Sequence, residues 1–261
     1  MASPDVQASP ASSAIPEPAA PGPMGHRRRW VAPLIAIVAV LCLLAAFGAG
    51  SRAHAELTRK PTPAELSAAA ALGVASRWQR WPAGQIFPAQ LSYTTDLLNQ
   101  ETAQRDGIAP GDGCTAALDT AQAALARRFG CRAALRATYV DQLGGIVYTL
   151  GVLAFPSARA SAGFYSRYTA SQIPVRGLHA LALPGTSAAA FTDQARQAAT
   201  SSLDGPYVVL SVAGYADGRA AAATGERRAS VFAPAIQLAT DIGTPLVQPI
   251  TVRCGTREWS C

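Results

Sequence analysis

The chain is poor in lysine, asparagine and histidine: Lys60 and Asn99 stand alone, and the histidines are His26, His54 and His179. It contains no H-E-x-x-H pair, P-loop, EF-hand loop or G-x-S-x-G elbow. The chemistries that those motifs carry are therefore not expected. Charged residues make up only 15% of the 261, but 49% are apolar, enough to exclude disorder as a whole and to build one ordinary domain with room for a small second one. The net charge of +6 comes almost wholly from arginine. That skew reads as codon bias in a GC-rich genome before it reads as a sign of anionic partners.

One long apolar run stands out. From Val31 to Gly48 no residue is charged, and Leu, Ile, Val and Ala dominate. With Trp30 at the interface, such a run just spans a hydrocarbon core of ~30 Å, and Pro33 in its first turn costs little there. His26, Arg27, Arg28 and Arg29 precede it directly; Arg52, Arg59 and Lys60 follow at a distance, interrupted by Glu56. Positive charge crowded on one side predicts that this side stays in the cytoplasm. The expected layout is a disordered Pro/Ala-rich cytoplasmic tail over 1–29, a transmembrane helix over 30–50, a linker over 51–61 and an extracytoplasmic domain over 62–261. A rival is cleavage after Ala55, since Ala53-His54-Ala55 has the small-x-small form of a signal-peptidase site. The apolar run is long for a signal peptide, which favours an uncleaved anchor.

Of five cysteines, Cys42 lies in the apolar run, leaving Cys114, Cys131, Cys254 and Cys261. An even number suits an oxidising compartment. Spacings of 17, 123 and 7 contain no C-x-x-C pair and no nearby histidine, against a zinc site. Two disulfides are expected, with Cys114–Cys131 and Cys254–Cys261 as the preferred pairing. A straight helix over 115–129 would be roughly 21 Å long, while bridged Cα atoms lie within about 7 Å. The first bridge therefore requires Cys114 to fold back along a shorter helix.

Within the domain, Thr62-Pro63-Ala64-Glu65 forms a capping box ahead of a helix striped by Leu66, Ala70, Val74 and Trp78, ending at Trp81-Pro82. Residues 86–93 read as a short edge strand because of Pro88, and Arg105 to Gly113 as a loop. A helix is expected at 115–129. Strand 133–139 alternates apolar and polar residues, with one face wet; Asp141 to Gly145 forms a turn; Ile146 to Phe155 is apolar on both faces, as a central strand would be. A helix follows Pro156-Ser157. A weaker second round has strands at Arg176 to Leu183, Gln194 to Thr200 and Tyr207 to Gly214, then a helix at about 228–242. An edge strand is expected at Ile250 to Arg253. The fold class is α+β: an antiparallel sheet with helices on one face, built of two strand-strand-helix units, preceded by one transmembrane helix.

Chemistry is sparse. His179 has no serine or acid suggestively placed beside it, and Asp96, Asp119 and Asp193 read as surface residues. Gly48-Ala49-Gly50-Ser51-Arg52-Ala53 matches the dinucleotide fingerprint in letters but follows no strand. No pair of carboxylates stands out for glycoside hydrolysis. Past residue 50 there are 19 basic and 14 acidic groups. Arg127, Arg128, Arg132 and Arg136, with Arg227-Arg228, could gather into a patch for anionic lipid headgroups or wall polymers. No catalytic residue, cofactor or metal is assigned, and nucleic acid is excluded on location.

A Pro/Ala tail, an arginine stop, an anchor and a small cysteine-bearing domain, with Gly130-Cys131-Arg132-Ala133-Ala134-Leu135-Arg136-Ala137-Thr138-Tyr139, Gly205-Pro206-Tyr207 and Gly214-Tyr215-Ala216-Asp217-Gly218-Arg219, resemble single-pass membrane proteins of actinobacterial type. There is a looser likeness to extracellular sensor domains of receptor kinases. The resemblance implies a layout and a cell-membrane location, and carries no activity or site residues. The expectation is a membrane-anchored, non-catalytic binding or accessory module of the cell envelope, its partners the bilayer and an envelope protein or anionic envelope polymer. A cleaved secreted protein and a wall-active hydrolase are the alternatives.

Overall fold

The computed structural model describes residues 28–111, 113–170, 177–221, 229–252 and 255. The Pro/Ala-rich stretch up to residue 27, Arg227-Arg228 and both Cys254 and Cys261 lie outside them. The chain divides into two compact units, Met1–Lys60 and Pro61–Cys261.

In the first unit, α1 (Arg28–Thr58) is a single helix of 31 residues, about 46 Å long at about 1.5 Å per residue. It runs on to Thr58, through most of the 51–61 stretch expected to form a linker. Pro33 accordingly falls in the second turn, not the first. Over Val31–Thr58 the best window has a mean hydropathy of 2.7, and none of it is buried. A helix apolar all round and unburied is long and apolar enough to cross a membrane.

The second unit begins with α2 (Pro63–Ala75), entered through the expected capping box: the Thr62 amide donates to Glu65 Oε2 at 2.8 Å, and the Glu65 amide to Thr62 Oγ1 at 3.3 Å. The helix stops at Ser76, short of the expected end, and two single turns follow, α3 (Arg77–Arg80) and α4 (Ala83–Ile86). Then come β1 (Gln90–Thr94), β2 (Gln100–Ile108), α5 (Cys114–Ala117), α6 (Thr120–Arg128), β3 (Ala133–Val140), β4 (Ile146–Ala154), α7 (Ala158–Ala170), β5 (Ala198–Asp204), β6 (Tyr207–Tyr215) and α8 (Pro234–Leu246), with 3-10 turns at Asp193–Ala195 and Ala229–Phe232.

The six strands form one antiparallel sheet in the order β1-β2-β3-β4-β6-β5. The α+β class, the antiparallel sheet and the two strand-strand-helix rounds, β3-β4-α7 and β5-β6-α8, are as expected. The helices, however, cover both faces rather than one. Strand side chains alternate between faces, and the two sets bury separate cores. Tyr139, Tyr148, Leu150, Tyr207 and Val209 meet Leu238, Ile242 and Leu246 of α8, with Trp78 and Trp81 against them. Val147, Leu153, Val208 and Leu210 meet α5, α6, Phe164 of α7 and the segment around Leu178 and Phe191.

This second layer explains why β3 has no wet face. Segment 177–196 crosses over it: Thr138 Oγ1 donates to the Leu181 carbonyl at 2.8 Å, and the Leu181 amide donates to Thr149 Oγ1 at 3.0 Å. The crossing is tight at Gly151, where a Cβ would stand 2.5 Å from Leu178 Cδ1. Residues 177–183 consequently form no regular strand, contrary to expectation, and share only an isolated bridge between Leu118 and Leu178.

Three other expectations change. Arg105 to Ile108 belong to β2 rather than a loop; the strand is polar and was hidden from periodicity, yet pairs β3 with a bulge between Arg105 and Gly107. The helix expected at 115–129 is two helices, broken at Leu118 and Asp119, whose ψ angles of 147° are extended. Residues 250–252 are irregular, so no edge strand forms over the described part of that segment. At the β1 rim, Gln237 of α8 clips the strand end: the Thr94 amide donates to Gln237 Oε1 at 3.0 Å and Gln237 Nε2 to the Thr94 carbonyl at 2.8 Å.

Candidate functional site

Among the described residues, the break between α5 and α6 helps to gather a charged cluster of Asp119, His179, Asp193 and Arg196. Cys114 and Cys131 are disulfide-bonded, with Cα atoms 6.3 Å apart, because α5 is a single turn and α6 folds back beside it. The preferred pairing holds for this bridge. Cys254 and Cys261 lie outside the described residues, and Cys42 is a free, exposed thiol of α1.

The two residues at the break run antiparallel to 177–179. The His179 amide donates to the Ala117 carbonyl, and the Asp119 amide to the Gly177 carbonyl, at 2.8 and 2.9 Å. Asp119 caps α6 with its backbone only, so its carboxylate turns inward. It accepts from the Gly177 amide at 2.6 Å and from both terminal nitrogens of Arg196, at 3.0 and 3.3 Å. Burial pushes the Asp119 carboxyl up; the Arg196 hydrogen bonds and charge, with the Gly177 amide, outweigh it and hold the group below its ordinary value. Arg196 is buried and also donates to the carbonyls of Leu178 and Asp193, at 2.8 and 3.1 Å.

His179 stands at the rim of this pair. Its Nδ1 lies 2.5 Å from Asp193 Oδ2 and 3.7 Å from Asp119 Oδ1, and its side chain is 32% exposed. The other Asp193 oxygen accepts from the Ala180 amide at 2.8 Å. Behind it, Arg136 Nη1 donates to the His179 carbonyl at 3.2 Å. Burial pushes the nearby Tyr168 hydroxyl up to about 12.

An imidazole held at Nδ1 by a carboxylate has a fixed orientation and presents Nε2 for proton transfer or hydrogen bonding. Among the described residues no serine, threonine or cysteine side chain is hydrogen-bonded to His179, and no group of three His, Cys, Asp or Glu side chains could hold a metal. Asp119 and Arg196 spend their bonds on each other and on backbone. The cluster therefore stitches segment 177–196 to the α5–α6 break.

Two of the acids that the sequence placed on open surfaces are thus brought to His179: Asp119 and Asp193 both reach it, and His179 follows the isolated Leu118–Leu178 bridge rather than lying in a strand. Separations of 60 and 14 residues carry no motif. The expected arginine patch is partly dismantled. Arg127 and Arg128, in the last turn of α6, and Arg132 are exposed, but Arg136 is only 8% exposed and faces the covered side of β3.

Models of protein families, curated proteins and solved structures were each compared with the chain, and none matches.

Proposed function

We propose that the chain is a single-pass membrane protein whose α+β domain stands outside the cytoplasm and works as a binding or accessory module of the envelope. The observation that carries this reading is α1, whose Val31–Thr58 stretch contains an 18-residue window of mean hydropathy 2.7 that buries nothing against protein. Lipid is the solvent that satisfies such a helix. The Arg27-Arg28-Arg29 run ahead of it supports a cytoplasmic N-terminus, and the Cys114–Cys131 bridge fits an oxidising compartment. Helical backbone through Ala53-His54-Ala55 supports the uncleaved form, since a peptidase reads extended chain.

Washing membranes at alkaline pH should leave the full chain in the pellet, and externally added protease should digest the domain in cells stripped of their wall. A C-terminal reporter active only in the cytosol overturns the orientation; a mature chain starting at Glu56 overturns the anchor.

A second reading, a wall-active hydrolase, is favoured by one observation, the Asp193–His179 pair with its exposed imidazole edge. Hydrolysis of wall polymer that His179→Asn abolishes, without lowering Tm, would establish it.

A further inference from the structure

We infer that five arginines gathered where α6 meets α7 form a docking face for the anionic headgroups of the bilayer that holds α1, and that this face sets how the domain rests on the membrane. The inference deepens the membrane-anchored module reading and rests on it.

The packing of α6 on α7 brings the arginines together. Phe129, at the end of α6, lies on α7 at Gly163, where a Cβ would stand 2.5 Å from Phe129 Cε1. Positions 159, 163 and 167 are four residues apart and so share one stripe of α7. Arg159 and Arg167 therefore flank Gly163, and the Arg167 guanidinium lies over the phenyl ring, 5.0 Å from its centroid. Arg127 and Arg128 directly precede Phe129. Arg132 follows it, with its amide donating to the Ala154 carbonyl at 2.8 Å, shortly before α7 starts. All five arginines are exposed.

Their lack of partners sets them apart. The other described arginines of the unit Pro61–Cys261 are all engaged: Arg77, Arg80, Arg105 and Arg136 donate to carbonyls, while Arg196 and Arg219 pair with carboxylates. Arg127, Arg128, Arg132 and Arg159 make no side-chain hydrogen bond or ion pair among the described residues, and Arg167 reaches only the Gly163 carbonyl of its own helix and the Phe129 ring. Over 114–132 and 154–170 the only acid is Asp119, whose carboxylate is taken by Arg196. Five uncompensated cations favour an anionic surface, and the guanidinium fork suits the phosphate of a headgroup.

The route of the chain selects the bilayer over a free polymer. Turn 205–206 belongs to the same end of the sheet: the Phe155 amide donates to the Pro206 carbonyl at 2.9 Å, and Ser161 Oγ, in α7, donates to the Gly205 carbonyl. Asp204, the acid beside that turn, faces α8 instead, where it crowds Gly243 and accepts from Ser202. The next residue after the turn, Tyr207, donates its hydroxyl to the Val74 carbonyl of α2 at 2.7 Å. α2 thus joins the sheet at the end that carries the arginines, and only residues 59–62 lie between it and α1. So short a tether keeps lipid at high effective concentration, and each arginine brought near the headgroups adds attraction. Cut free and diluted, the domain loses that advantage and leaves the membrane.

The test uses the full chain in vesicles of phosphatidylcholine, alone or with about one third phosphatidylglycerol. A benzophenone side chain replaces Ala124, exposed and one turn from Arg127 and Arg128, or, as control, the exposed Thr240 of α8. Light should attach phosphatidylglycerol to the Ala124 probe and not to the control. The adduct should fall about fivefold or more in phosphatidylcholine alone, in high salt, and in Arg127→Gln with Arg159→Gln. Neither of those side chains has a bond to lose, so Tm should stay unchanged. Lysine at the same two positions keeps the charge and should keep most of the adduct. No adduct, equal adducts in the two vesicles or at the two probes, or an adduct indifferent to the arginine pair would each overturn the inference. So would adducts to wall polymer or protein, in place of lipid, when the Ala124 probe is lit in intact cells. An alkaline wash of the same vesicles separates the two proposals. A chain that stays in the pellet without adduct defeats the arginine face alone, and a chain that washes out defeats the anchor.

Discussion

At the residue scale, arginine holds the molecule together where lysine would not serve. Arg77 is 6% exposed and spreads its fork over the end of α8, donating to the carbonyls of Pro245, Leu246 and Gln248 at 3.1, 2.7 and 2.5 Å. Pro245 and Leu246 close the last turn of α8 and Gln248 follows just past it, so one guanidinium ties down the whole helix exit. Arg77→Lys keeps the charge but fills one or two of the three sites, and should cost about 2 kcal/mol in urea denaturation. Asp119 sets a pH dependence. Its native carboxyl lies below the ordinary value, so the unfolded chain binds more protons in that window, and stability is full above about pH 4 and drains as pH falls further. Asp119→Asn should lower Tm at pH 7 and flatten the fall below pH 4, by calorimetry across pH. None of this was readable beforehand: Arg77 and Asp119 each act on residues far along the chain, and only the fold brings them there.

At the element scale, the break at Leu118 and Asp119 is what admits the disulfide. Replacing Cys114 and Cys131 by serine opens a loop of 17 residues and should cost about 3 kcal/mol. Hydrogen exchange should then rise first at the amides of Asp119 and His179, whose bonds to 177 and 117 depend on α5. Gly151→Ala drives a methyl into Leu178 and should cost ~1–3 kcal/mol by overpacking. What could be read from sequence was the strongly patterned part: the capping box at Thr62, the β3–β4 hairpin with its Asp141 turn, and the run Tyr207–Tyr215. Alanine-rich 115–129 looked like one helix because propensity is blind to a carboxylate pulled inward by Arg196. Polar β2 looked like a loop because its pairing with β3, not its own pattern, makes it a strand.

At the scale of the whole molecule, two units of different solvent preference share one chain, Met1–Lys60 and Pro61–Cys261. Arg59 and Lys60, at the end of the first unit, are exposed. Limited trypsin on membranes should therefore release a fragment beginning at Lys60 into the supernatant, identified by mass. A cut fragment that stays in the pellet would show that the domain itself grips lipid. The sheet's two covered faces escaped the sequence because an apolar stripe on a helix does not say which side of a sheet it meets.

The clip between Gln237 and Thr94 has an effect on crowding. An unguarded rim invites strands from neighbouring copies to zip on, one after another. With its outermost rung already taken by an amide borrowed from a helix, the β1 border offers newcomers a poor start. Endless stacking of copies needs two receptive borders, so blunting one of them limits how far such growth can run even at high density in a membrane.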